Sequence, residues 1–363
     1  MSLLSLLAAG VRGGSLPRDP AENPALTTWR QIAHTEQGHN APRGPNTWTA
    51  KIQSVVEASG VRMGWSGFGG QSGAVAWSLR ANVEGTPLMM NGSDLIVVPA
   101  NTIVWTDDIP LAIQPGQQIH FTVEALQPGP PNGVSDVLNQ YGSAISMPWP
   151  IAVLGKTTTT EKALLGTGDS IMTQAAWFSP LPVPTINLGV PVTRWTTTAN
   201  ARYGGQASAL MNAASHVVIQ FGVNDIGGGD LTSLKTSARS CWDSHAAATS
   251  RPLYQTTPTP KLSGTTGDGC ASSAGQTLGT WEPVRQNLNA WLRDGAPDAG
   301  GIRAGEPGHP LTGIIDLAVA VESPTEPGKW DWTKGNLGGD GVHPSDLGQS
   351  YMRQVMNDWL LTL

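Results

Sequence analysis

Between Thr47 and Leu126 apolar residues occur in short runs or alternate with polar ones. The runs are Ile52-Gln53-Ser54-Val55-Val56, Ala74-Val75-Ala76-Trp77-Ser78-Leu79, Leu95-Ile96-Val97-Val98 and Ile119-His120-Phe121-Thr122-Val123, with Gly, Asn, Pro and Asp between them. Short strands broken by such turns, Pro115-Gly116 among them, predict a β-sandwich-like accessory domain over residues 46–150. Residues 1–45 show no regular period and are expected to be irregular. Pro128, Pro130, Pro131, Pro148 and Pro150, followed by four threonines, mark a loop-like boundary. Over residues 155–363 the pattern changes. Residues 163–167, 215–221 and 311–317 are compact apolar runs, the pattern of strands buried on both faces. Val284, Leu288, Trp291 and Leu292 share one helical face. Leu347, Tyr351, Met352, Val355, Met356, Trp359 and Leu360 share another, with Ser345 placed to cap that helix. Strands alternating with helices predict an α/β fold, a parallel sheet covered by helices in three layers. Ligands of such sheets bind beyond the carboxyl ends of the strands.

Composition narrows the function classes. Hydrophobic residues make up 39% of the 363, enough for a substantial core, while only 13% are charged. The net charge is -6, and no run of Lys or Arg provides a phosphate-binding surface, so nucleic acid is not an expected partner. No apolar run approaches the roughly 20 residues that span a bilayer. The opening stretch Ser2 to Gly10 is apolar, but no cation precedes Arg12, which fits an ordered or anchoring N-terminus, or another export route, better than a cleaved secretion signal. Cys241 and Cys270 lie in a polar stretch, which favours a disulfide between them. That bridge would contribute roughly 3–4 kcal/mol and imply an oxidising location. The seven histidines are scattered and no H-E-x-x-H or paired C-x-x-C is present, so neither a metal nor another cofactor is expected.

Three short segments carry candidate chemistry. Gly168-Asp169-Ser170-Ile171 directly follows the first buried run, so Ser170 sits on a strand-to-helix turn. Gly222-Val223-Asn224-Asp225 directly follows the second, so the Asn224 amide lies at a strand end. Asp340-Gly341-Val342-His343-Pro344 precedes the last helix, with a carboxylate three residues before an imidazole. Each segment alone also reads as ordinary turn chemistry. A carboxylate can hold one ring nitrogen of His343 and leave the other to take a proton from a serine.

The order Ser, Asn, Asp–His, with the last pair close to the C-terminus, resembles the SGNH (GDSL-type) hydrolases over roughly residues 160–363. The resemblance implies Ser170 as nucleophile, Asp340 and His343 as its partners, and an oxyanion hole from the Ser170 N–H, the Asn224 amide and a glycine N–H. Tyr203-Gly204-Gly205-Gln206 falls at the expected distance, with Gly205 the first choice and Gly204 the reserve. Arg202 departs from the family, which often has glycine there. The β-rich front half loosely resembles that of two-part SGNH esterases.

The expected function is hydrolysis of short acyl esters, O-acetyl groups on a carbohydrate foremost, so the partner is an acylated small molecule or polysaccharide. Trp330 and Trp332, shortly before Asp340, are candidate sugar-stacking residues, with loop packing the competing reading. An adhesin or virion spike that grips polysaccharide, with or without deacetylase activity, is the alternative from another class. A plain intracellular esterase would need Cys241 and Cys270 to be free thiols. The disulfide favours an extracellular, periplasmic or virion-associated location.

Overall fold

The computed structural model describes residues 28–33, 41–44, 47–66, 76–100, 102–126, 150–158, 160–174, 176–196 and 207–363. Two antiparallel sheets form the front half. Their strands are β1 (Thr28–Gln31), β2 (Ala41–Gly44), β3 (Thr47–Gln53), β4 (Ala58–Ser66), β5 (Trp77–Val83), β6 (Thr86–Pro87), β7 (Ile96–Val98), β8 (Ile103–Trp105), β9 (Ile109–Ile113), β10 (Gln118–Leu126) and β11 (Ala152–Thr157). One sheet runs β1-β11-β4-β8, with β9 also on β4. The other runs β2-β3-β10-β5-β6, with β7 on β5. Alternation explains the packing. Trp77, Leu79, Ala81 and Val83 of β5 and Ile119, Phe121, Val123 and Ala125 of β10 turn inward, and their neighbours face out. Opposite them Val61, Met63 and Trp65 of β4 complete one buried cluster. This is the expected sandwich with wider limits. The first two strands fall in the stretch read as irregular, and β11 lies in the segment read as a boundary.

The second half is built on a five-stranded parallel sheet: β12 (Leu164–Gly168), β13 (Thr185–Gly189), β14 (His216–Gln220), β15 (Leu253–Thr256) and, after the small hairpin β16 (Leu262–Thr265) and β17 (Gln276–Leu278), β18 (Gly313–Ile315). Its order is β13-β12-β14-β15-β18, every neighbour parallel. The helices are α1 (Ser170–Gln174), α2 (Ala207–Ala213), α3 (Leu231–Ala248), α4 (Glu282–Arg293), α5 (Ala318–Val321) and α6 (Asp346–Leu360). Successive strand residues point to opposite faces. Leu165, Val217 and Ile219 pack with Leu210 of α2, Leu234 and Trp242 of α3, and Leu288 and Leu292 of α4. Leu164 and Val218 pack with Ile171 and Met172 of α1 and Met352, Met356 and Leu360 of α6. The result is the expected three-layer α/β/α arrangement. Ser345 caps α6 as predicted, accepting from Gly348 N. Among the described residues no helix is long and apolar enough to cross a membrane.

The two halves share a core. Ile151, Ala152 and Leu154 join the cluster on the α3–α4 side of the parallel sheet. Arg30 donates to Ala214 O at 2.7 Å, and Gln31 bridges Val153 N to Thr185 O.

The disulfide expectation is overturned. Cys241 and Cys270 are both buried free thiols. Cys241 lies on the inner face of α3 with Leu234, Ala238, Trp242 and His245, while Cys270 belongs to the cluster on the other face of the sheet. Burial raises both thiol pKa values, that of Cys270 to about 11. The argument for an oxidising location falls with the bridge.

Candidate active site

Ser170 is the first residue of α1, directly after β12. Asp169 caps the helix: its Oδ1 accepts from Ile171 N at 2.9 Å and its carbonyl accepts from Thr173 N at 3.0 Å. An N–H in a helix's first turn has no intrahelical acceptor, so that of Ser170 is available to a developing oxyanion. The preceding glycine is a packing requirement. A Cβ on Gly168 would come within 2.7 Å of both Gln220 Oε1 and Met172 Cβ. Asn187 Nδ2 donates to Met172 O at 2.7 Å and Trp177 Nε1 to Ile171 O at 3.0 Å, which fixes the short helix from the side.

The Asp340–His343 turn comes to the same sheet edge. Asp340 Oδ1 accepts from Val342 N and His343 N at 2.9 and 2.8 Å, and Oδ2 accepts from the His343 ring Nδ1 at 2.8 Å. With that proton on Nδ1, Nε2 is an acceptor, and it lies 2.8 Å from Ser170 Oγ. A hydroxyl and an imidazole 173 residues apart in the chain, with a carboxylate three residues from the imidazole, thus form one continuous hydrogen-bonded row. Burial acts to raise the Asp340 pKa, but the bonds from His343 and Val342 outweigh it and hold the carboxyl below its ordinary value. It stays ionised, as a partner for an imidazolium must.

Asn224 follows β14 at the neighbouring strand end. One amide hydrogen donates to Thr193 O at 3.1 Å, which leaves the second for a ligand. Gly204 and Gly205 lie outside the described residues. Of the oxyanion donors expected from the sequence, the described ones are Ser170 N–H and the Asn224 amide.

The two tryptophans fare differently. Trp330 is 0% exposed, so the stacking expectation for it is corrected. Its indole packs against Gly338, and its Nε1 donates to Gly341 O at 3.1 Å. Trp330 therefore supports the Asp340–His343 turn from beneath. Trp332 is half-buried on a single 3-10 turn, Trp332–Lys334, and makes no hydrogen bond to Ser170, Asp340 or His343.

Two buried carboxylates escaped sequence reasoning. Asp169 is 0% exposed, and burial, only partly offset by Ile171 N and the Gln220 side chain, pushes its pKa up to about 7. Asp225 is pushed up to about 6 by burial, against the Trp195 N–H, Arg194 and Lys261. A sequence signal existed, since each acid adjoins a proposed catalytic residue after a buried strand, but a turn acid there reads as solvated.

The strand order, the Ser170 turn, Asn224 one strand over and the Asp–His pair ahead of the last helix coincide in one layout. The second half is a parallel α/β/α fold that gathers these residues at one edge of its sheet. No protein-family model matches the chain, and no curated protein matches it either. Solved structures similar to it include a peptidoglycan O-acetylesterase, 11% identical with a TM-score of 0.43 over 98% of this chain and 80% of that one. Another is a member of the lipolytic G-D-S-L family from Veillonella parvula, 16% identical with a TM-score of 0.36 over 56% of this chain and 100% of its own. The psychrotrophic esterase EstA from a Pseudoalteromonas species is 13% identical with a TM-score of 0.33, over 56% and 98% respectively.

Proposed function

We propose that the chain is a serine esterase that hydrolyses short acyl esters, O-acetyl groups on carbohydrate foremost. The observation that carries the reading is the Ser170 Oγ to His343 Nε2 distance of 2.8 Å, with the far ring nitrogen 2.8 Å from Asp340. Ser170 Oγ attacks the ester carbonyl carbon while its proton passes to His343 Nε2. Asp340 keeps the ring in the required tautomer and stabilises the imidazolium. The carbonyl oxygen, now negative, meets the Ser170 N–H and the Asn224 amide, and Gly205 N–H is proposed as a third donor. The tetrahedral species collapses, His343 protonates the departing alcohol, and an acyl-serine remains. Water, deprotonated by His343, attacks that ester and releases the carboxylic acid and free Ser170. The β-sandwich packed against the parallel sheet supports a carbohydrate substrate, since it extends the surface available to a long chain, and Trp332 remains a proposed stacking residue.

The test is acetate release from an acetylated polysaccharide, together with a series of aryl esters of increasing acyl length. Ser170→Ala is expected to lower the rate by roughly 10⁴-fold or more with unchanged far-UV dichroism. A variant that keeps the parent rate would remove Ser170 from the chemistry. Preference for acyl chains of about eight carbons or longer would defeat the acetyl-carbohydrate part alone.

A further inference from the structure

Two cations are built against the backbone that carries Asn224. Asn224 Nδ2 bonds Thr193 O at 3.1 Å, and Asp225 Oδ1 accepts from Trp195 N at 3.2 Å. Arg194 is thus bracketed on both sides by bonds to the Asn224–Asp225 pair. From the other side Lys261 Nζ donates to Val223 O at 2.9 Å. Lys261 is itself held: Trp281 Nε1 donates to its carbonyl at 3.0 Å, and its ammonium lies 5.4 Å from the Trp281 ring centroid. The segment leading to it is pinned at Pro258 O, which accepts from Arg285 Nη1 at 3.0 Å and Asn289 Nδ2 at 2.9 Å. Gly222 shows how closely the two cation-bearing loops approach. A Cβ there would lie 2.5 Å from Pro258 Cγ and 3.1 Å from Trp195 Cη2.

The charged ends converge as well. A Cβ on Gly227 would have Lys261 Nζ 3.8 Å away, and one on Gly228 would have Arg194 Nη1 3.9 Å away. Two consecutive residues without side chains therefore leave open the surface on which both cations border. Among the described residues neither cation forms an ion pair, in a chain of net charge -6. The acids nearest in charge interaction, Asp169 and Asp225, are buried at 0% and 7% exposure and cannot swing out to cover them. Burial lowers the Lys261 pKa, and Arg194 adds to this while Asp169 and Asp225 oppose it. An arriving anion relieves both costs.

We propose that Arg194 and Lys261 form an anion subsite beside the Asn224 oxyanion donor, and that the ester this chain hydrolyses carries a carboxylate near its scissile bond. A guanidinium fork and a point-charge ammonium bordering the same two glycines suit a planar carboxylate. Given the carbohydrate reading on which this rests, the substrate class is an O-acylated acidic sugar. The same carboxylate could instead sit on the acyl group, so the test has two arms.

The first arm compares kcat/KM for 4-acetoxybenzoate with that for its methyl ester, which places the charge on the leaving alcohol. The second compares 4-nitrophenyl hemisuccinate with 4-nitrophenyl acetate, which places it on the acyl group. Each is run with the parent protein, Arg194→Gln, Lys261→Gln and, as a charge control on the sandwich, Arg80→Gln. In the first arm the charged-to-neutral ratio is expected to fall roughly tenfold in each subsite variant and not in the control. In the parent the same ratio drops at high salt. A fall confined to the second arm overturns the acidic-sugar assignment and moves the charge to the acyl side. Ratios unchanged in both arms, or an equal fall in the control, overturn the subsite. Hydrolysis of none of the four esters overturns the esterase reading and the subsite with it.

Discussion

Replacing Asp169 with asparagine isolates the charge of a carboxyl that the fold buries completely. Its Oδ1 caps α1 through Ile171 N, a role an amide oxygen fills equally well, while Oδ2 has no well-formed hydrogen bond. Burial raises the pKa from 3.8 to about 7. Between those two pH values the native state holds a proton that the unfolded chain has released, so stability falls as pH rises. The contribution of the neutral carboxyl is complete below pH 3.8 and is lost as pH climbs through about 7. Each pH unit in that window is worth about 1.4 kcal/mol, so the whole span is worth about 4 kcal/mol. Asp169→Asn removes this slope. Asp225, raised to about 6, contributes a slope of its own over a narrower window in both proteins, and because its charge also repels that of Asp169 its part in the difference is small rather than zero. The added buried N–H₂ introduces a roughly constant offset of about 1–3 kcal/mol that does not vary with pH. The assay is urea unfolding followed by tryptophan fluorescence at intervals from about pH 4 to pH 8. The variant is expected to gain on the parent steadily with pH, by about 4 kcal/mol across the range. Parallel stability curves, or a variant that loses ground as pH rises, would refute the reasoning.

Asn224→Ala should lower kcat by about 10²- to 10³-fold with a small change in KM, because in the proposed mechanism its free amide hydrogen acts on the transition state. Steady-state kinetics on an aryl acetate checks this, and a loss appearing mainly in KM would contradict it. Trp330→Phe should destabilise the protein by about 1 kcal/mol through the lost bond to Gly341 O. Its KM for an acetylated polysaccharide should stay near the parent value, as measured by urea unfolding and acetate release. A large rise in KM would restore the indole to the substrate site.

Much of the site was legible because its residues cluster in short strings. Gly168-Asp169-Ser170, Gly222-Val223-Asn224 and Asp340 to His343 each follow a buried run or precede a helix, and each lies at the carboxyl edge of the parallel sheet. The apolar runs at 163–167 and 215–221 gave β12 and β14 to within a residue at each end, since strands buried on both faces leave no polar alternation to confuse them. Helix α6 was clear from its long period and its serine cap.

Other features depend on contacts between distant parts of the chain. Strands β1 and β11 pair across more than 120 residues, and nothing local to Thr28–Gln31 records that partner. Helix α3 was passed over because its buried stripe consists of Leu234, Ala238, Cys241, Trp242 and His245, too mixed to stand out from the serines and threonines around it. The same mixing made Cys241 look like a surface thiol ready to pair. Trp330 resembled a ligand platform because sequence separation from Asp340 is the same whether the ring lies above the turn or beneath it. Arg194 and Lys261 are 67 positions apart and border adjacent glycines, Gly228 and Gly227, because Gly222 lets their loops close on one segment.

The most direct test of the central claim is labelling with a fluorophosphonate, which reacts only with a serine that a neighbouring base has activated. Peptide mass spectrometry should find a single adduct on Ser170 in the parent protein and none in His343→Ala. Equal labelling of Ser170 without the imidazole, or an adduct on a different serine, would contradict the account.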